Sequence, residues 1–172
     1  FAPEVVTGFA RIGGQSVGVV AATDKLTSNA CVKIGELLNT CETYSLPVIN
    51  LVDCKGVVAD AAQENGALIR ETANVMYLYS QLSVPKIALV TGSAIGAGYT
   101  AFCSKSFTDY TLAWPDAQIG AIEAVSAAQL LYADDIAKAK NKDAAAKKLA
   151  DAYAEENTVA AVVSAKGYID NV

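Results

Sequence analysis

Histidine is absent from this 172-residue chain. Its absence excludes a Ser-His-Asp or Cys-His mechanism and an imidazole-based metal site. Any catalysis must rest on backbone donors, carboxylates, Lys, Tyr, a cofactor or a partner subunit. Long apolar runs are also missing. Apolar residues make up 53% of the chain, yet no uninterrupted stretch approaches the roughly 18 residues of a membrane span, so no direct membrane insertion is expected. Basic residues are in the minority, 13 Lys and Arg against 18 Asp and Glu. The net charge of −5 argues against a nucleic-acid partner. The four cysteines, Cys31, Cys41, Cys54 and Cys103, form no CxxC pair. Cys31, Ile34, Leu38 and Cys41 step by three, four and three, which is one helix face. They read as core thiols of a reducing compartment, so a cytoplasmic location is expected. Cys54 falls in a glycine-containing loop where a thiol can be exposed, but no histidine is present to act as its base.

What is present fits one domain with a sizeable core. Val5–Ile12 and Ser16–Ala22 read as a hairpin around Gly13-Gly14. Ser28 is the expected N-cap of a helix reaching about Tyr44. Pro47–Val52 is a continuous apolar strand of the kind buried in a parallel sheet. After the loop Asp53–Asp60, one long helix is expected from about Ala61 to Leu82, burying Ala62, Gly66, Ile69, Ala73, Met76 and Ser80. Strand Lys86–Val90 leads into a glycine turn, Gly92–Gly98, and a helix to about Lys105. Asp109–Trp114 and Ala117–Ala121 read as strands, and Val125–Tyr132 and Asp134–Glu156 as helices. The charge run of the last is a solvated face. Thr158–Lys166 is a short helix closed by Gly167 at C′, and Tyr168–Val172 an edge strand. Strands alternating with helices predict an α/β fold with parallel pairing. Such sheets bind ligands at the carboxyl ends of their strands, which singles out Asp53–Asp60 and Gly92–Gly98.

The stretch Val90-Thr-Gly-Ser-Ala-Ile-Gly-Ala-Gly-Tyr99 reads as strand, glycine-rich turn and helix start. Glycine admits close backbone approach and positive φ, and the free N–H groups at a helix start attract negative charge. Main-chain donors alone can hold an oxyanion there.

In order along the chain stand Val6-Thr-Gly-Phe-Ala-Arg-Ile-Gly-Gly14, Leu51-Val-Asp-Cys-Lys-Gly56, Gln63-Glu-Asn-Gly66 with Ile69-Arg70, Val84-Pro-Lys-Ile87, Gly96-Ala-Gly-Tyr99, Ala113-Trp-Pro115 and Gly167-Tyr-Ile-Asp170. This ordered set resembles the C-terminal domain of the carboxyltransferase components of biotin-dependent acyl-CoA carboxylases and decarboxylases. The resemblance spans residues 1–172 as a single domain. It implies the crotonase-like fold, a spiral of ββα units. The pattern Val90-x-Gly92-x-Ala94-x-Gly96-x-Gly98 also resembles crotonases around an oxyanion-hole donor.

The resemblance implies carboxyl transfer between biotin, held on a separate carrier, and an acyl-CoA. It assigns oxyanion donation to the N–H groups of Ala97 and Gly98, with Gly96 shaping the turn. Gly56 and Val57 would line the opposite wall of the biotin site, and Tyr99 and Thr100 would border the acyl group. The implied partners are an acyl-CoA-binding carboxyltransferase domain or subunit and a biotin carrier protein, in a homo- or hetero-oligomer. Lys55, Gly56 and Val57 stand where the family commonly has Pro, Gly and Phe. One alternative is a self-contained crotonase-type acyl-CoA hydratase or isomerase with Glu64 or Glu123 as base. Another is a noncatalytic scaffold subunit of a carboxylase or decarboxylase complex.

Overall fold

The computed structural model describes residues 1–172. Its frame is one six-stranded sheet. Strands β1 (Val5–Ile12) and β2 (Gln15–Ala22) form the antiparallel hairpin, with Ile12 opposite Gln15. Gly13 and Gly14 turn it with φ of 58° and 87°, which is the twist a two-residue hairpin loop needs. Then β3 (Val48–Cys54), β4 (Lys86–Ile95) and β5 (Tyr110–Ala113) follow in parallel, each linked by a helical crossover. The short β6 (Gln118–Gly120) also pairs parallel with β4, alongside Ser93–Ile95. On its edge away from β3, β4 thus serves two partners, β5 along its first half and β6 along its second.

Helix α1 (Ser28–Thr43) buries Cys31, Ile34, Leu38 and Cys41, as the spacing predicts. Its N-cap is Thr27 rather than Ser28: Thr27 Oγ1 accepts from Ala30 N at 3.1 Å and donates to the Glu4 carboxylate. The Ser28 amide is instead taken by Gln63 Oε1 at 2.9 Å. The expected long helix is two, α2 (Ala61–Asn65) and α3 (Leu68–Gln81). Ala67 breaks it, standing left-handed at φ 64°. The break resets the helical phase, so α3 buries Leu68, Thr72, Val75 and Tyr79, and the small-residue face expected inside lies outward. Ile69 is 77% exposed.

The helix-covered face of the sheet carries the core. Tyr79, fully buried, donates its hydroxyl to Asn50 Oδ1 at 2.7 Å, and Asn50 Nδ2 reaches Phe102 O at 3.3 Å. This chain of bonds ties α3, β3 and α4 (Ala97–Phe102) together, and no buried side-chain polar atom is left without a partner. On the opposite face, cross-strand register aligns Val6, Ala21, Leu51, Leu89 and Leu112 in one row. None of these five is buried.

The remainder is helical: α5 (Ala124–Leu131), α6 (Ala133–Lys138), α7 (Lys142–Asn157) and α8 (Ala160–Ala165). Asn141 separates α6 from α7 by capping the Ala144 amide. Gly167, at φ 80°, closes α8 as expected, with Tyr168 N bonded to Val163 O. Residues 168–172 form no strand; they run beside β5 with one bridge, Leu112 to Asn171. No helix is long and apolar enough to cross a membrane.

Candidate functional site

The glycine turn is shorter than the sequence suggests. Gly92, Ser93, Ala94 and Ile95 belong to β4, and β6 supplies Ser93–Ile95 with a parallel partner. The chain reverses at Gly96 alone, with φ 55° and ψ −121°, a region open only to glycine. The Gly96 amide is fixed on Gly120 O at 2.9 Å. Ala97 then opens α4, so its amide and that of Gly98 have no intrahelical acceptor.

Gly98 is not a positive-φ residue. It is glycine for another reason. A Cβ built there would stand 2.4 Å from Cys54 O and 3.0 Å from Cys54 Sγ. The missing side chain lets α4 press against the end of β3. Gly92 follows the same logic: a Cβ would meet the Asp53 carboxylate at 2.5 Å, and Asp53 Oδ1 accepts from Ser93 N at 2.8 Å.

The loop after β3 comes to the same place. Gly56 adopts φ 97°, and a Cβ on it would lie 3.5 Å from Ile95 O, next to the turn. Its carbonyl takes the Leu26 amide at 2.8 Å. Cys54, which the sequence places in a loop, is buried in β3 and donates to Gly56 O at 3.4 Å. Burial pushes its thiol up to about 11. Cys103, behind it, is raised further by the same desolvation. Neither is a ready nucleophile.

Val57 and Ala97 line one open groove of about 290 Å³ with Leu68, Ile69, Thr72, Ala73 and Met76. The groove therefore runs along α3, lined by its outward Ile69 and Ala73 and by its buried Leu68 and Thr72. Tyr99 and Thr100 line a different cavity, of about 430 Å³, on the β6 side with Gly120, Ala121 and Tyr153. The Tyr99 hydroxyl is committed to Tyr168 O at 3.1 Å, and the Thr100 hydroxyl to Gly96 O at 3.0 Å. The structure thus brings together Gly56, Val57, Gly96, Ala97 and Gly98, and turns Tyr99 and Thr100 elsewhere. Met76 was expected on a buried helix face, and Leu68 and Thr72 were not singled out in the sequence. Their signal, the helical period of α3, is hidden by the break at Ala67. Of the two carboxylates considered as bases, Glu64 is exposed on α2. Glu123 faces a third cavity and stands 3.9 Å from Lys25 Nζ.

Among curated proteins, the chain is 33% identical over its whole length to the methylmalonyl-CoA decarboxylase subunit alpha of Propionigenium modestum. It is 35% identical to the methylmalonyl-CoA carboxyltransferase 12S subunit of Propionibacterium freudenreichii subsp. shermanii. It spans 34% of the length of each. Among solved structures, the transcarboxylase 12S hexamer with methylmalonyl-coenzyme A and methylmalonic acid bound superposes with a TM-score of 0.92. That match has 35% identity and covers 99% of this chain and 34% of the other. The beta subunit of geranyl-CoA carboxylase from P. aeruginosa shares the fold, at a TM-score of 0.89 and 22% identity. The architecture is thus the crotonase-like fold of the carboxyltransferases. The carboxyl transferase domain matches residues 1–172, and the chain belongs to that family.

Proposed function

We propose that this chain is the biotin-side, C-terminal-type domain of an acyl-CoA carboxyltransferase. It moves a carboxyl group between biotin and an acyl-CoA. The observation that carries the reading is the joint position of Ala97: first residue of α4, with a free amide, on the wall of an apolar groove.

The residues present suit biotin. The groove is walled by Val57, Ala73 and Met76, apolar surface fit for a compact ring system. The amides at the head of α4 suit its ureido oxygen. Biotin supplies the ureido nitrogen to which the carboxyl group is attached. The amides of Ala97 and Gly98 would donate to the ureido oxygen and offset negative charge there. Fixed donors act without a titrating side chain, consistent with a chain lacking histidine. Gly96 aims the helix, Gly56 and Val57 bound the ring, and Tyr99 and Thr100 border the acyl group from the cavity on the β6 side.

The reading requires an acyl-CoA-binding carboxyltransferase domain or subunit and a biotin carrier protein. It places the chain in an oligomer in the cytoplasm, in keeping with its four free, buried thiols. The hydratase alternative loses support from Glu64, which lies in solvent.

The test is Ala97→Pro in the protein assembled with its acyl-CoA-binding partner and biotin carrier. Proline is tolerated at the first helical position, where its missing N–H has no intrahelical partner, so the substitution removes one donor and little else. Carboxyl transfer is expected to fall about 100- to 1,000-fold, the scale of one oxyanion donor. A folded, assembled variant with full activity would refute the assignment.

A further inference from the structure

The two faces of the sheet are covered unequally. Parallel sheets are as a rule buried on both faces, yet α1, α3 and α4 all pack on one. The row from Val6 to Leu112 lies on the other. Register sets a second row beside it: Gly8, Val19, Ile49, Ile87 and Tyr110. None of these ten residues is buried; Val6, Ile87 and Tyr110 are 61%, 38% and 44% exposed. None is charged, and the carboxylate next along β3, Asp53, is engaged by the Ser93 amide. With strands about 4.8 Å apart and same-face residues about 6.8 Å apart, ten positions cover about 330 Å² in projection. Contiguous apolar surface of this extent is commonly a contact surface. The face also has a direction. The second row grows from Gly8 on β1 to Tyr110 on β5, and in the first row Ala21 on β2 balances Leu89 on β4 across Leu51. Space over Gly8 is open: a Cβ there would meet nothing within 4 Å.

We propose that this face is an isologous interface on which a second copy of the chain packs, sheet against sheet. A two-fold axis parallel to the strands and above β3 lays the low β1–β2 side of one copy on the high β4–β5 side of the other. Tyr110 of one copy then stands over Gly8 of the other, and Leu51 and Ile49 meet their own symmetry mates. The surface is complementary to itself, which is what an isologous pair requires. Stacked sheets about 10 Å apart and within about 30° of alignment interdigitate their inner side chains in this way. Two projected faces of about 330 Å² each, with side-chain relief and rim added, approach the roughly 1,200 Å² of total surface at the lower end of specific pairs. The inference names a surface for the oligomer proposed above but rests on the sheet register, not on carboxyl transfer, so each can fail alone.

The test is sedimentation velocity of the 172-residue chain, with circular dichroism to confirm that each variant is folded. A reversible dimer with a Kd at or below about 100 µM is expected. Leu51→Lys and Leu51→Glu, each setting like charges together at the axis, should weaken pairing at least about tenfold. An equimolar mixture of the two should recover it, because opposite charges then meet. Gly8→Phe is the second variant, since its side chain meets nothing within the monomer. It should leave the fold intact and weaken pairing by filling the seat of Tyr110, and Tyr110→Ala added to it should restore pairing. Leu130→Lys, on the exposed surface of α5, should pair as the unaltered chain does. A chain that stays monomeric at that concentration would overturn the proposal and leave the face to a different partner. So would a dimer indifferent to both Leu51→Lys and Gly8→Phe, no recovery in either the mixture or the double variant, or an equal loss in Leu130→Lys.

Discussion

The junction of β3, β4 and α4 and the helical segment α5–α8 are built on opposite principles. At the junction backbone meets backbone. Gly98 seats on the Cys54 carbonyl, Gly56 on Ile95 O, and Gly96 hangs from Gly120 O. In the helical segment the buried residues are small, Ala127, Ala128, Ala150, Ala160 and Val163, while Leu130 and Leu131 stand 73% and 65% exposed. A site made of main-chain groups needs its backbone fixed to fractions of an ångström. A helical layer over it needs only an apolar contact of about the right size. The first region is therefore intolerant of single atoms and the second of few residues.

The sharpest way to break this contrast is one methyl group. Gly98→Ala is expected to cost about 3 kcal/mol, the upper end of overpacking, since the atom it meets is backbone and cannot rotate aside. Urea denaturation measures it, and a cost under about 0.5 kcal/mol would mean that α4 shifts freely. Next comes Tyr79→Phe, expected to cost about 1–3 kcal/mol. It strands Asn50 Oδ1 in the core without its donor. Leu130→Ala, on exposed surface of α5, should change stability by no more than about 0.5 kcal/mol. If Leu130→Ala cost as much as Gly98→Ala, the two regions would not differ as argued.

The smallest effect is a pH effect. Asp170 accepts from Lys105 Nζ and from the Thr111 amide, which hold its carboxyl below the usual carboxylate value. A depressed carboxyl stabilises the folded state above its unfolded value near 3.9 and loses that contribution as pH falls through the folded value. Acidification below about pH 4 should therefore loosen residues 168–172 from β5 before the core responds. Hydrogen exchange at Asp170 N, bonded to Thr111 O at 2.9 Å, reports it. Exchange there that is independent of pH after correction for intrinsic rate would remove Asp170 as the tether.

The hairpin, the first helix, the parallel strands and the closing glycine were legible because each rests on local signals: Gly13-Gly14, the cysteine face of α1, the apolar runs, Gly167. The site was legible in part, as two glycine-bearing loops at strand ends. Three things were hidden. The extension of β4 through Ile95 depends on β6, a partner distant in sequence. The break at Ala67 places a non-glycine residue in a left-handed conformation, which no propensity announces, and it inverted the reading of α3. The identity of Gly98 answers to the Cys54 carbonyl, a contact that only the folded chain contains.

The double pairing of β4 also sets an order of events. As the chain leaves the ribosome, the turn at Gly96 emerges before Gly120, the residue that must receive its amide. Until β6 is out, Ser93–Ile95 have no partner on that side. The nascent chain therefore carries an assembled hairpin and crossover but an unfinished turn. The carbonyl that completes it arrives with β6, and β6 is itself secured by Ile119 N on Thr158 O, from the end of α7. The glycine turn is among the last parts of the molecule to be completed, although its own residues sit near the middle of the sequence.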